Sequence, residues 1–343
     1  MREISFVKYV LKLNNKIKTN NYNKEREKMR YKFIKKAGIE ISTLSVGTWA
    51  IGGENYGSVD EKDSIEAIRA MIDGGVTVVD TAPVYGNGQS ELLVGKALKD
   101  GYREKVYLAT KFGVACNPAG GDLIRRANYQ AIIEDCEGSM KRIGTDFIDI
   151  YIMHWPDINT SIEETMAAVN ALKKQGKIRF AGVSNFTREM LDEALKYGEI
   201  EFVQPPYSMV NESMKELLLF CEKQGIGTMT YGSLGSGILT GAIREKPNFD
   251  KDDYRLTFYD VYAEPKFSKI MELLKILDKI AAAHNKPVAQ VAINWSTQKS
   301  YVSTAICGVR NVAEAQENCA TFDWMLSDEE VNMIDKELLR LVL

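Results

Sequence analysis

FIDIYIMHWPDINTSIEETMAAVNALKKQGKIRFAGVSNF, residues 147–186, decides the fold. A strand-like apolar run at 147–153 is followed by an amphipathic helical pattern at 161–175, a Gly176 stop and a second strand-like run at 179–183. Strand, helix, strand in that order is the unit of a parallel sheet, because the helix carries the chain back to start the next strand in the same direction. The unit also raises a chemical question. The chain has two histidines, and one of them, His154, stands where the first strand runs out at Trp155 and a proline. Taken alone, it reads more readily as a core residue that has found a hydrogen bond than as chemistry.

Outward from this unit the pairing repeats. Strand-like runs fall at 44–47, 76–80, 105–110, 147–153, 179–183, 201–204, 226–231 and 303–307. Helical patterns lie at 61–73, 90–99, 128–142, 161–175, 187–197, 212–224, 266–284 and 311–320. Asp60 and Asn128 are N-cap candidates, Gly74-Gly75 is a C-terminal stop, and Pro287 opens an additional helix. YKFIKKAGIEIS, residues 31–42, alternates about an Ala37-Gly38 turn and predicts a β-hairpin. Eight β/α pairs predict an α/β fold, a (β/α)8 TIM barrel with an N-terminal β-hairpin and C-terminal extra helices, in which function sits at the C-terminal ends of the strands.

Residues 31–343 contain no composition shift or linker and are expected to form a single barrel domain. Residues 1–30 hold nine Lys or Arg against three Glu and are expected to be a disordered or dispensable extension, with Met29 a candidate start; a targeting address is the alternative. The polar stretch 244–267 is too long for a simple connection and is a candidate lid, with a surface excursion as the alternative.

Over 343 residues the chain is 45% hydrophobic and 27% charged, an ordinary globular composition. A net charge of −3 offers no footprint for nucleic acid or an anionic membrane, and no run approaches a membrane-spanning length. Cys116, Cys136, Cys221, Cys307 and Cys319 are odd in number and widely spaced, which suggests neither a disulfide framework nor a metal site and fits a reducing, cytoplasmic compartment.

The strand ends carry the chemistry. The second strand ends in Asp80 with Tyr85 five residues on, the third at Thr110-Lys111, the fourth at His154, the fifth at Ser184-Asn185, the sixth at Gln204 and the seventh at Tyr231. A strand-terminal Asp is commonly a helix cap and a strand-terminal Lys commonly solvated; on successive strands the two compose a proton-transfer site. A free tyrosine, with a pKa of about 10, is too weak an acid at neutral pH. A neighbouring ammonium favours the phenolate, and Lys111 is placed to supply it, with Asp80 holding Lys111 charged. His154 is then a donor to a substrate carbonyl, and Tyr85 the acid that meets a developing alkoxide.

With these roles in place, the chain resembles the aldo-keto reductase superfamily along essentially all of residues 31–340, the potassium-channel β subunits among its members. DTAPVYGNGQSE resembles the family's Asp and Tyr signature, ATKFG its Lys signature, IDIYIMHWPD its His signature, GKIRFAGVSNF its Ser-Asn segment and YGSLGSGILTG the segment after the seventh strand. The resemblance implies an NAD(P)H-dependent oxidoreductase that reversibly reduces an aldehyde, ketone or sugar, with Tyr85 as general acid/base, Asp80 and Lys111 tuning it and His154 orienting the carbonyl. A cofactor-binding regulatory subunit like the potassium-channel β subunits is the alternative.

The resemblance also implies a cofactor set. Ser184, Asn185 and Gln204 would read the nicotinamide amide, with Tyr231 against its ring and Thr48, Trp49 and Asp80 nearby. Gly232, Ser233, Leu234, Ser236 and Gly237 would approach the pyrophosphate, although relatives more often have Ser-Pro where this chain has Gly232-Ser233. Gly308, Arg310, Glu314 and Asn318 would meet the adenosine end. Arg310 suits a 2′-phosphate and Glu314 opposes one, so NADP is the expected cofactor and NAD the alternative. Trp49, Tyr56, Tyr85, Phe112, His154 and Trp155 are candidates to line a pocket for a carbonyl or polyol substrate, with plain packing an equal reading for Phe112 and Tyr56. Arg125 and Arg126 are either a surface pair beside a helix start or a reader of anionic substrates.

Overall fold

The computed structural model describes residues 28–53, 59–248 and 260–343. Strands β1 (Tyr31–Ile34) and β2 (Ile39–Ser42) form an antiparallel hairpin. The barrel strands follow: β3 (Leu44–Gly47), β4 (Val78–Asp80), β5 (Tyr107–Phe112), then, beyond the short antiparallel pair β6 (Val114–Ala115) and β7 (Ile124–Arg125), β8 (Ile148–Met153), β9 (Ile178–Ser184), β10 (Phe202–Gln204), β11 (Gly227–Thr230) and β12 (Thr304–Gly308). Each barrel strand pairs in parallel with the next, and β12 closes on β3 through Cys307 opposite Val46. All eight strands expected from the sequence are present, with ends shifted by a residue or two.

Helices α1 (Glu61–Asp73), α2 (Gln89–Ala97), α3 (Tyr129–Ile143), α4 (Ile162–Lys174), α5 (Arg188–Tyr197), α6 (Lys215–Gln224), α7 (Lys266–His284), α8 (Val288–Gln298), α9 (Val312–Cys319) and α10 (Asp328–Leu341) surround the barrel. Asp60 and Asn128 cap α1 and α3 by accepting from the backbone N–H of Asp63 and Ala131. The sequence reading assigned no pattern to α10, although Ser327 and Glu330 form a capping box at its start. Among the described residues no helix is long and apolar enough to cross a membrane.

Strand periodicity positions everything that follows. In a strand covered on both faces, alternate residues point to the barrel axis and to the helices. Val78, Tyr107, Ala109, Ile150, Ile152, Phe202 and Met229 pack together inside the barrel with Ile34, Ile39 and Ile41 of the hairpin, which plugs the end where the strands begin. Their neighbours Val79, Leu108, Tyr151 and Val203 face the helices. Counting forward by two from the interior set reaches Asp80, Lys111, His154 and Gln204, all at the other end of the barrel.

Met29 is buried beside Leu44 and Val76, and Arg30 accepts from Thr43 N–H while its guanidinium donates to Asn294 and Thr297. Residues 1–27 lie outside the described residues, as do Tyr56 and positions 249–259 of the stretch considered as a lid.

Candidate active site

Lys111 is fully buried and donates to three oxygens: Asp80 Oδ2 at 2.7 Å, the Thr81 carbonyl at 2.9 Å and the Tyr85 hydroxyl at 3.2 Å. An ammonium has three N–H bonds and no acceptor. All three are therefore used, and the Tyr85 oxygen is the acceptor in its bond with Lys111. Burial pulls the lysine below its ordinary pKa, and the Asp80 carboxylate opposes that pull by charge and by hydrogen bond.

Asp80 is held from both sides. Gln204 Nε2 donates to Oδ1 at 2.8 Å, and the Asp80 carbonyl accepts from Thr48 Oγ1 at 2.8 Å. Behind it, Ser90 Oγ lies within hydrogen-bonding distance of Thr81 Oγ1 (2.9 Å) and Thr48 Oγ1 (2.7 Å), in a wholly buried hydroxyl cluster. That cluster anchors the Asp80-Thr81 backbone from which Lys111 takes an acceptor. Ser90 and Glu91 stand in the quoted DTAPVYGNGQSE, yet the sequence reading assigned them no role. Glu91 is fully enclosed, accepting from Thr110 Oγ1 at 2.6 Å and Arg142 Nε at 2.5 Å.

Tyr85 stands between two rings. The Trp49 ring stacks on it at 6.1 Å and the His154 ring meets it edge-on at 5.8 Å between centroids. The His154 backbone N–H donates to the Phe112 carbonyl, and its ring Nδ1 is enclosed without a hydrogen-bond partner among the described residues. Burial first, then the charges of Lys111 and Arg125, hold the imidazole well below its ordinary pKa, so it is neutral at neutral pH.

Asn185, in left-handed backbone conformation at φ 59°, gathers the neighbouring strand ends. Its Nδ2 donates to the His154 carbonyl at 2.9 Å and to Ser184 Oγ at 3.0 Å, and its Oδ1 accepts from the Tyr231 hydroxyl at 2.8 Å. Ser184 Oγ donates to the Gln204 carbonyl at 2.8 Å. Ser184, Asn185, Gln204 and Tyr231 thus form one network that touches Asp80 at one end and His154 at the other.

The loop after β11 turns sharply, with positive φ at Gly232, Gly235, Ser236 and Gly237. A Cβ built at Gly232, Gly237 or Gly308 would meet nothing within 4 Å, so backbone here borders open space. Ser236 Oγ is enclosed with no partner among the described residues, while its carbonyl accepts from Tyr262 at 2.8 Å. Leu234 packs sideways into the core, and Ser233 is buried beside the Ile306 carbonyl at 3.5 Å. The open backbone and the unpartnered hydroxyl fit a dinucleotide's phosphates. Among the residues expected to meet the adenosine end, Glu314 is already engaged: Arg310 donates to it through backbone N–H at 2.8 Å and through its guanidinium at 2.8 and 3.2 Å. Asn318 Nδ2 donates to the Gly308 carbonyl at 3.2 Å.

One pocket candidate is misplaced by its register. Phe112 follows Lys111 and so points the opposite way, to the helices, where it is 1% exposed and packs on Tyr151 at 4.7 Å. Trp155, by contrast, joins Tyr85 against the small apolar cluster of Ala82, Val84 and Val114.

The closed eight-stranded parallel barrel thus carries a buried Asp-Lys-Tyr chain and a neutral histidine at its strand ends, an arrangement suited to proton transfer. A model of the aldo/keto reductase family matches residues 43–338, and the chain belongs to that family. It is 40% identical over 305 residues to the aldo-keto reductase YhdN of Bacillus subtilis (strain 168), covering 88% of this chain and 91% of that protein. It is 33% identical over 310 residues to the NADH-specific methylglyoxal reductase of Escherichia coli (strain K12), covering 86% and 94%. Among solved structures, the glycerol dehydrogenase AKR11B4 from Gluconobacter oxydans superposes with a TM-score of 0.82 at 32% identity, covering 92% of this chain and 95% of that one. Members of the family are NAD(P)H-dependent oxidoreductases of the carbonyl-reducing kind.

Proposed function

We propose that this protein reversibly reduces the carbonyl of an aldehyde, ketone or sugar to an alcohol, with Tyr85 as general acid in reduction and general base in oxidation. The observation that carries the reading is the three-way engagement of Lys111 by Asp80, the Thr81 carbonyl and Tyr85. Because Lys111 donates to the Tyr85 oxygen, that bond does not use the phenol's own proton, which in this reading is the one passed to a substrate oxygen. As negative charge develops on that oxygen, Tyr85 passes its proton across, and the phenolate left behind is stabilised by the ammonium beside it. His154, neutral and with Nδ1 enclosed, presents its other ring nitrogen to the same substrate oxygen and orients it.

The cofactor supplies the hydride when bound. Ser184, Asn185, Gln204 and Tyr231 would hold its nicotinamide end, Thr48 and Trp49 would border it, the loop Gly232–Gly237 would take its phosphates, and Gly308, Arg310 and Asn318 its adenosine end. NADP is the proposed cofactor, held through Arg310, with Glu314 competing for the same guanidinium and narrowing the margin over NAD. That exposed pair is worth at most about 1 kcal/mol, so a 2′-phosphate displaces it at little cost. Trp49 and Trp155 would wall the substrate side. The barrel is read as one domain, and a cytoplasmic location is part of this reading, as expected from the sequence.

The test is Tyr85→Phe, assayed on a panel of aldehydes, ketones and sugars with each nucleotide. Carbonyl reduction is expected to fall by about a thousandfold or more while cofactor affinity stays within a few-fold. A variant that keeps most of its turnover removes Tyr85 from the role.

A further inference from the structure

Two arginines leave the β6–β7 hairpin side by side, and they differ in what they do. Arg126 pairs with Asp135 and reaches Glu134 at 3.6 Å, which ties the hairpin to α3. Arg125 pairs with no carboxylate among the described residues; its guanidinium instead lies over the Trp155 ring, 4.9 Å from the centroid. Asp157, the acid whose charge acts on it, is already occupied by the backbone N–H groups of Ala127 and Asn159 and the hydroxyl of Thr160.

The location gives this cation a use. Arg125 sits opposite Val114 across the hairpin, and Val114 belongs to the small cluster against which both Tyr85 and Trp155 pack. Trp155 is the residue after His154. The guanidinium therefore lies against the residue next to His154 and beside the cluster that packs on Tyr85, and its charge is felt at the imidazole. A guanidinium held over an indole still has N–H donors to offer and less rotamer freedom left to lose on binding. Its edge matches two oxygens of a carboxylate or phosphate.

We propose that Arg125 is a specificity-determining residue that selects carbonyl substrates bearing an anionic group, carboxylate or phosphate, a few bonds from the carbonyl. This rests on the reading of the site as a carbonyl reductase and adds the substrate class. Trp155 holds the guanidinium; the anion anchors one end of the substrate at the hairpin and delivers the carbonyl end toward Tyr85 and His154.

Two matched pairs test it: succinic semialdehyde with its methyl ester, and glyceraldehyde 3-phosphate with glyceraldehyde. The full-length wild-type protein is expected to favour at least one anionic member over its neutral partner by about tenfold or more in kcat/KM, with a preference that weakens as salt is raised. The arm that shows it identifies carboxylate or phosphate. Arg125→Met should remove that preference, chiefly through KM, and leave the neutral members within about twofold; Arg125→Lys should restore part of it. Nucleotide titration by fluorescence confirms that the variants are folded. Turnover of neutral members with no gain for either anion, or an equal loss on both members of a pair in Arg125→Met, overturns this inference alone. No reduction of any of the four compounds overturns it together with the carbonyl-reductase reading.

Discussion

Gln204 Nε2 donates to Asp80 Oδ1 at 2.8 Å, and the other carboxylate oxygen is held by Lys111. One side chain thus spans the proposed nicotinamide end and the proton-transfer chain. Gln204→Leu is expected to weaken cofactor binding and also to lower kcat about tenfold or more at saturating cofactor, because a hydrogen bond to a charged group is worth ~1.5–3 kcal/mol. Fluorescence titration and steady-state kinetics separate the two effects. A loss confined to cofactor affinity would show that the bond to Asp80 is idle.

His154 gives a pH signature in stability. The folded imidazole is held well below the ordinary value, whereas in the unfolded chain it takes up a proton below pH ~6.5. The unfolded state then binds more protons, so the folded state loses stability as pH falls from about 6.5. His154→Asn removes this contribution. Urea unfolding at pH 7.5 and 5.0 should show a smaller acid loss for the variant; parallel losses would count against a buried neutral imidazole.

Glu314 is expected to act against NADPH. Glu314→Gln frees the Arg310 guanidinium and removes a negative charge beside the proposed 2′-phosphate site. NADPH should bind about tenfold more tightly, ~1.4 kcal/mol, with NADH changed by no more than a few-fold. Separate titrations of the two nucleotides check this, and an unchanged ratio of affinities would place the 2′ position elsewhere.

Gly86 is where the backbone itself positions the acid. It follows Tyr85, has φ 59°, and a Cβ there would stand 2.0 Å from the Gly52 carbonyl oxygen in the turn after Trp49. Backbone meets backbone, so no side chain moves aside to accept it. Gly86→Ala is expected to cost about 3 kcal/mol or more and to depress turnover by separating Trp49 from Tyr85. Gly38→Ala, at a similar φ of 65° in open space, should cost only about 1–2 kcal/mol. Equal melting temperatures for the two variants would show that the contact yields.

Much of this was legible because strands impose a period of two and barrels put function at one end. Asp80, Lys111, His154 and Gln204 are one parity class on four strands, and the structure brings all four to one face. The same rule, applied to Phe112, would have sent it to the helices. α10 was legible too, through the Ser327–Glu330 box, but it follows the last β/α pair and a reading organised by that alternation passes over it.

By itself the sequence determined the eightfold alternation, the order of strand ends and the residue types standing at them, because these depend on local period and punctuation. Only the tertiary structure decided which of those groups touch. That Lys111 uses the Thr81 carbonyl, that Gln204 holds Asp80, and that Arg125 lies on Trp155 while Arg126 is spent on Asp135 are contacts between segments whose distances depend on how eight strands close, and no spacing along one strand encodes them.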